Sequence, residues 1–300
     1  MSLTVDFSNE VRDWIAHNLT RGCAPETIVE QLLAHGIAPE LASAMVRAVS
    51  NALVHAMPMP EGKFTLGEAE PQFVPAPSRL PAGPSFDIDG RRIRVLARMQ
   101  RPVVAVLANV LDAEECDALI DAAKPRLRAS TVVDPLSGKD RIADHRSSEG
   151  MFFGLGESPL IARIERRIAV LTGKPVENGE GLQLLRYPVG AESTPHFDYL
   201  MPTNDANRES VARSGQRIST LILYLNDVPE GGETCFPHLG LSVVPQRGHA
   251  LYFEYANDES HTDPLSLHAG APVLAGEKWI ATKWTRQRKF VPAAQVAAYA

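Results

Sequence analysis

Cysteine is scarce in this chain. Its 300 residues hold three, Cys23, Cys116 and Cys235, far apart. An odd, sparse set gives neither a disulfide framework nor a CxxC metal site. A basic excess is also missing. Lys and Arg total 30 against 36 Asp and Glu, a formal net charge of -6, which points away from a nucleic-acid partner. No apolar run approaches the ~18 residues that would suggest a membrane span, so no membrane partner is expected. The N-terminus, Met1-Ser-Leu-Thr-Val-Asp-Phe, lacks the basic segment and apolar core of a secretory signal. The expectation is a reduced, cytoplasmic protein. Hydrophobic residues make up 44 %, enough for a packed core.

Three segments follow from the pattern. Residues 1–57 read as three short helices. The first starts at Ser8 as N-cap, with Val11, Trp14, Ile15 and Leu19 on one face. The second and third open at Pro25-Glu26 and Pro39-Glu40. The near copies Gly22-Cys-Ala-Pro-Glu26 and Gly36-Ile-Ala-Pro-Glu40 each place glycine past one helix and proline at the start of the next. This segment resembles a UBA-like module; it reads equally as a packing extension of the main domain. Residues 58–92 hold Pro58, Pro60, Pro71, Pro75, Pro77, Pro81 and Pro84 and read as an extended linker. Its segment Phe73–Pro84 is also a candidate proline-rich ligand for the protein's own groove. Residues 93–300 read as α+β: a strand at Val103–Leu107, helices at Asp112–Ala123 and Pro159–Leu171, then short strands at 182–187, 219–225, 241–244, 250–255, 266–268 and 279–284. Many short strands separated by glycine turns suggest an antiparallel sandwich or barrel. The polar stretch 201–213 reads as a mobile loop.

The chemistry concentrates in Thr194-Pro-His196-Phe-Asp198-Tyr199. Residues two apart on a strand share a face, so His196 and Asp198 can grip one metal ion. A distant histidine would complete a 2-His-1-carboxylate facial triad, which leaves positions open and suits non-haem Fe(II). The chain has nine histidines, and His238, His249 and His261 compete for that role. His268 is favoured: it ends a strand-like run and is followed by Ala269-Gly270, with Lys278 placed to return on the next strand. That lysine could hold the far carboxylate of an organic acid chelating the iron.

Taken together, the motifs resemble the prolyl 4-hydroxylase family of Fe(II)/2-oxoglutarate dioxygenases. The matching segments are Arg146–Phe153, Leu182–Gly190, His196–Tyr199, Arg217–Val228, Glu230–Pro237, Ser266–Val273 and Gly276–Trp279, in the family's order over residues 100–290. The resemblance implies a double-stranded β-helix (jelly-roll) with flanking helices. It implies that His196, Asp198 and His268 bind Fe(II), with no catalytic side chain beyond the metal centre. Lys278, Tyr187 and Thr234 would bind 2-oxoglutarate, and Arg146, Ser148 and Tyr199 would lie on the substrate side. O2 and ascorbate are the further implied cofactors. The implied reaction hydroxylates peptidyl proline at C4 and releases succinate and CO2, with a peptide or protein partner, proline-rich in sequence. Many members carry tyrosine three residues before the first ligand, where this chain has Ser193. The competing readings are a hydroxylase of a free amino acid or small molecule, and a non-catalytic interaction protein on the same scaffold.

Overall fold

The computed structural model describes residues 3–21, 23–54, 59–60, 62–66, 76–129, 131–133, 140–142, 148–200 and 205–293. The chain forms two compact units. One comprises Met1–Val74, Val133–Lys139 and Met201–Glu209; the other comprises Pro75–Val132, Asp140–Leu200 and Ser210–Ala300.

The first unit contains strand β1 (Leu3–Phe7), helices α1 (Asn9–Thr20), α2 (Pro25–Ala34) and α3 (Pro39–Val54), and strand β2 (Gly62–Leu66). Ser8 caps α1, its hydroxyl accepting from the Val11 amide at 3.3 Å, which satisfies one of the orphan donors of the first turn. Apolar side chains at helical spacing meet in a core of Ile15, Ile28, Leu32, Met45, Val46 and Val49. Trp14 sits at the edge of that stripe and is 37 % exposed. β1 and β2 pair antiparallel, from Leu3↔Leu66 to Phe7↔Gly62. The expected linker therefore contains a strand. The run between Pro60 and Pro71 holds no proline and keeps every N–H for a ladder.

The far end of that linker is structured as well. β3 (Ser85–Ile88) and β4 (Arg91–Gln100) form a hairpin. It turns at Asp89 and Gly90, both at positive φ, the pair that a tight two-residue turn favours. Upstream, Glu254 receives the Ser78 hydroxyl at 3.1 Å, the Arg79 amide at 2.7 Å and the Arg79 guanidinium at 2.7 Å. Leu80 is buried. The second unit thus begins at Pro75 rather than at residue 93, and Pro81 and Pro84 belong to its packed edge. Pro81 O accepts from Arg98 and Pro84 O from the Val95 amide. Pro71 and Pro75 lie outside the described residues.

The remaining elements of the chain are β5 (Val103–Ala108), α4 (Ala113–Ala123), β6 (Arg128–Ala129), β7 (Thr131–Val133), β8 (Asp140–Ile142), β9 (Glu149–Phe153), α5 (Pro159–Thr172), β10 (Leu182–Tyr187), β11 (Ser193–His196), α6 (Asp205–Ser214), β12 (Arg217–Tyr224), β13 (Glu230–Gly231), β14 (Thr234–Phe236), β15 (Leu241–Val243), β16 (Ala250–Glu254), β17 (His268–Gly270), β18 (Val273–Ala275) and β19 (Lys278–Arg286); all lie in the second unit except the end of β7 at Val133 and the first half of α6, which are grouped with the first. A nine-stranded sheet runs β3-β4-β5-β16-β12-β19-β10-β9-β6, and a four-stranded sheet runs β11-β17-β14-β15. This is the expected jelly-roll. Strand β17 starts two residues later than expected, because Pro264–Ser266 forms a 3-10 turn before it.

Alternation decides what each face of the large sheet does. Leu182 and Leu184 on β10, Leu221 and Leu223 on β12, and Trp279 and Ala281 on β19 join one core with Cys116 and Leu119 of α4 and Ile161, Ile164 and Ile168 of α5. The opposite face carries Leu185, Tyr187, Ile222, Lys278, Ile280, Thr282 and Trp284, and these line a cavity closed by the small sheet. Covered on both sides, β19 is buried along its whole length. Helices α4 and α5 are also tied by a buried ion pair, Arg167 to both oxygens of Glu115 at 2.8 and 2.9 Å. The polar stretch expected as a loop is helical from Asp205. The last carbonyls of α6 accept from Arg286 (Ser210 O, 2.8 Å) and Arg288 (Ala212 O, 2.7 Å), partners that a helix C-terminus otherwise lacks. Residues 201–204 lie outside the described residues.

Candidate functional site

His196 and His268 stand directly opposite each other on β11 and β17. Their rings are 4.4 Å apart. Asp198 falls just beyond the end of β11, yet its carboxylate reaches between them. One carboxylate oxygen is 3.8 Å from His196 Nε2 and the other 3.6 Å from His268 Nε2. The three side chains can offer one ligand atom each, all within 4.8 Å of one another.

The tautomers are set by the backbone. His196 Nδ1 lies 2.8 Å from Thr194 O, and His268 Nδ1 lies 3.0 Å from Ser266 O. A carbonyl only accepts, so each Nδ1 carries a proton and each Nε2 is the atom turned toward Asp198. Phe236 and Phe253 wall His268 at 5.9 and 4.7 Å. Asp198 is buried. Burial alone would raise its pKa, but His268, His196, Arg217 and a hydrogen bond from Thr220 hold it below the usual range, so it is a carboxylate at neutral pH. Arg217 donates to the Asp198 backbone carbonyl at 3.1 Å and grips both oxygens of Glu180 at 2.7 and 2.9 Å. Its guanidinium lies over the Trp284 ring at 4.1 Å.

Lys278 faces the same cavity from the large sheet. It is directly across from Tyr187 in the ladder, and its Nζ sits 5.5 Å from the Tyr187 ring and 6.0 Å from the Tyr224 ring. Among the described residues no carboxylate pairs with it. Burial lowers its pKa to about 8. An ammonium buried without a counter-ion is costly, and the geometry suits an anionic ligand entering from the cavity. Thr234 lines the cavity nearby, its hydroxyl accepting from Tyr224 at 2.8 Å. Counted together with the open space at its mouth, the cavity encloses about 410 Å³. A metal at the His-Asp-His cluster and a dicarboxylate reaching Lys278 both fit these donors.

The expected substrate-side residues fare differently. Arg146 lies outside the described residues. Ser148 is buried and is not among the residues lining the cavity. Tyr199 is also buried, stacked on Phe197 at 4.7 Å and 6.2 Å from Tyr255. It belongs to the packing behind Asp198 and does not line the cavity. Both residues follow the end of β11 in a bend, where Asp198 lines the cavity and Tyr199 packs against Phe197 instead. Sequence reasoning missed Tyr224, Thr282 and Trp284. The last two follow Lys278 at steps of two along β19, a period that could have found them.

Comparison with known proteins agrees with the geometry. Residues 182–286 match the model of the 2OG-Fe(II) oxygenase superfamily. The chain is 41 % identical over 208 residues to probable prolyl 4-hydroxylase 10 of Arabidopsis thaliana, covering 63 % of this chain and 70 % of that protein. It is 43 % identical over 202 residues to prolyl 4-hydroxylase 1 of the same plant, covering 62 % and 70 %. Among solved structures, the viral collagen prolyl hydroxylase of Paramecium bursaria Chlorella virus-1, as its 2OG complex, shares 31 % identity at a TM-score of 0.48 over 61 % of this chain and 95 % of that one. With the ligand cluster, the buried lysine and the two plant relatives in hand, the chain belongs to the prolyl 4-hydroxylase family of 2-oxoglutarate- and Fe(II)-dependent dioxygenases.

Proposed function

We propose that this chain hydroxylates proline residues within peptides at C4, coupled to conversion of 2-oxoglutarate to succinate and CO2. The observation that carries the reading is one cavity holding both the His196–Asp198–His268 cluster and the buried ammonium of Lys278. The relatives named prolyl 4-hydroxylase support the substrate class.

Fe(II), held by His196, Asp198 and His268, would supply dioxygen activation with 2-oxoglutarate as the electron source. The protein's part is positional. Lys278 would form a charge-assisted pair with the distal carboxylate, with Tyr187 and Thr234 beside it. Leu185, Ile222 and Ile280 line the same cavity and exclude water from the chain between. On the substrate side His196 is 38 % exposed, and Phe152, 6.5 Å from Trp284, is half exposed. An open approach of this kind suits an extended peptide, and a proline-rich one is already extended before it docks. Arg146 remains our candidate for a polar contact to that peptide.

The test is succinate release with Fe(II), 2-oxoglutarate and ascorbate, the expected reductant, across a panel of proline peptides and free proline. Peptide-dependent release is expected. Release with free proline alone would refute the peptide reading. No release at all, from folded protein that binds metal, would refute hydroxylation.

A further inference from the structure

We propose that Thr220 and Tyr255 form a positioning relay that fixes the Asp198 carboxylate so that it gives a metal ion one oxygen and not two. The inference rests on the metal role of Asp198 proposed above.

Thr220 on β12 is fully buried, and its hydroxyl is 2.6 Å from Asp198 Oδ2. The same hydroxyl is 3.0 Å from the Tyr255 phenol oxygen, also fully buried. Counting protons fixes the direction. The carboxylate is ionised and only accepts, so the single Thr220 proton goes to Oδ2. Thr220 then has only lone pairs to offer Tyr255, and the phenol must donate to it. The chain runs Tyr255 to Thr220 to Asp198, each donor used once. Tyr255 is held in turn by the Phe253 ring at 5.8 Å and the Tyr199 ring at 6.2 Å. This gives the buried Tyr199 a place in the same support.

The relay touches one carboxylate oxygen only. A short bond to Oδ2 takes up one of its two lone-pair sites and weakens it as a donor, which would leave Oδ1, on the His196 side, as the stronger ligand atom. A carboxylate bound through both oxygens would occupy a further coordination position. That position is one the chemistry needs open for 2-oxoglutarate or dioxygen. Arg217 fixes the other end of the residue through the Asp198 carbonyl, so rotation about the side chain is the freedom Thr220 removes. Partners of this kind are worth ~10–100-fold in metal affinity where they have been removed from other sites.

The experiment uses Co(II) as probe on the full chain, with affinity read by competition against a chromophoric chelator and coordination by visible absorption. Thr220→Val keeps shape and deletes the hydroxyl. It is expected to weaken Co(II) binding by ~10–100-fold and to shift the absorption bands toward higher coordination number. Thr220→Ser is expected to restore both. Tyr255→Phe touches Asp198 only through Thr220 and is expected to weaken binding in the same direction by less. Wild-type affinity and spectrum in Tyr255→Phe, or in folded Thr220→Val, would overturn the relay. Where Thr220→Val does not fold, Tyr255→Phe decides. Failure of the wild-type chain to bind Co(II) would instead sink the metal-site reading itself.

Discussion

Replacing Lys278 with methionine separates two effects that ordinarily move together. The wild-type ammonium is buried with no carboxylate partner among the described residues, and its pKa falls from 10.5 to about 8. A proton held that much more weakly than in the unfolded chain corresponds to on the order of 3 kcal/mol of instability at neutral pH. The sign follows from proton counting. Between pH 8 and 10.5 the unfolded chain binds the proton and the folded chain does not, so stability rises with pH across that window. Lys278→Met removes the penalty and fills the same space. The ligand-free variant is therefore expected to melt several degrees above wild type at pH 7. Binding of 2-oxoglutarate moves the opposite way. The contact proposed between Lys278 and the distal carboxylate is a hydrogen-bonded charge pair worth about 1.5–3 kcal/mol, so its loss is expected to raise the dissociation constant by ~10–150-fold. Scanning calorimetry without ligand and titration calorimetry with Mn(II) and 2-oxoglutarate read the two effects. An unchanged 2-oxoglutarate affinity would refute the reasoning. Of the described cations nearest in sequence to the motif, Arg186 is engaged by Glu149 and Glu277, and Arg217 by Glu180.

In the wild type, 2-oxoglutarate affinity is expected to fall as pH rises above about 8, since binding must then be accompanied by proton uptake on Lys278; a flat profile from pH 7 to 9 by titration calorimetry would contradict this. His196→Ala, Asp198→Ala and His268→Ala should each abolish stoichiometric Co(II) binding and succinate release while keeping the wild-type circular dichroism, whereas His261→Ala, whose ring lies against Asn257 in a separate polar loop, should retain both. Burial would raise the Glu115 pKa, but Arg167 and Arg163 lower it from 4.5 to about 2; its contribution, on the order of 3 kcal/mol, is fully present above pH 4.5 and is lost as pH falls toward 2, so Glu115→Gln should flatten acid denaturation monitored by fluorescence. Gly231→Ala places a methyl at positive φ and 2.3 Å from the Pro272 carbonyl, and should cost at least ~1–3 kcal/mol in urea unfolding.

Much of the site was legible because ligand chemistry leaves few alternatives. A His-x-Asp pair, one distal histidine and a lysine ten residues later constrain both metal and cosubstrate, and the structure brings all four side chains to one cavity. The strands were legible where burial on both faces made apolar runs, as at Leu221–Tyr224 in β12 and Ala250–Phe253 in β16. Positions that depend on what packs behind the site were not. Tyr199 follows Asp198 in sequence, but the bend after β11 turns it into the core, and Thr220 and Tyr255 reach Asp198 only through tertiary pairing of β12 with β16. The linker was misread at both ends because proline count says nothing of the proline-free run at 62–66, or of an arginine, Arg79, that finds Glu254 some 175 residues away.

The most direct test of peptidyl proline hydroxylation is tandem mass spectrometry of a proline-rich peptide incubated with the protein, Fe(II), 2-oxoglutarate and isotopically labelled dioxygen. The expected result is one labelled oxygen on a proline ring carbon, assigned to C4 by comparison with authentic 4-hydroxyproline. It should be formed in step with succinate, and lost in His268→Ala. Succinate formed without label on any proline of the peptide, or label placed equally well on a free amino acid, would contradict it.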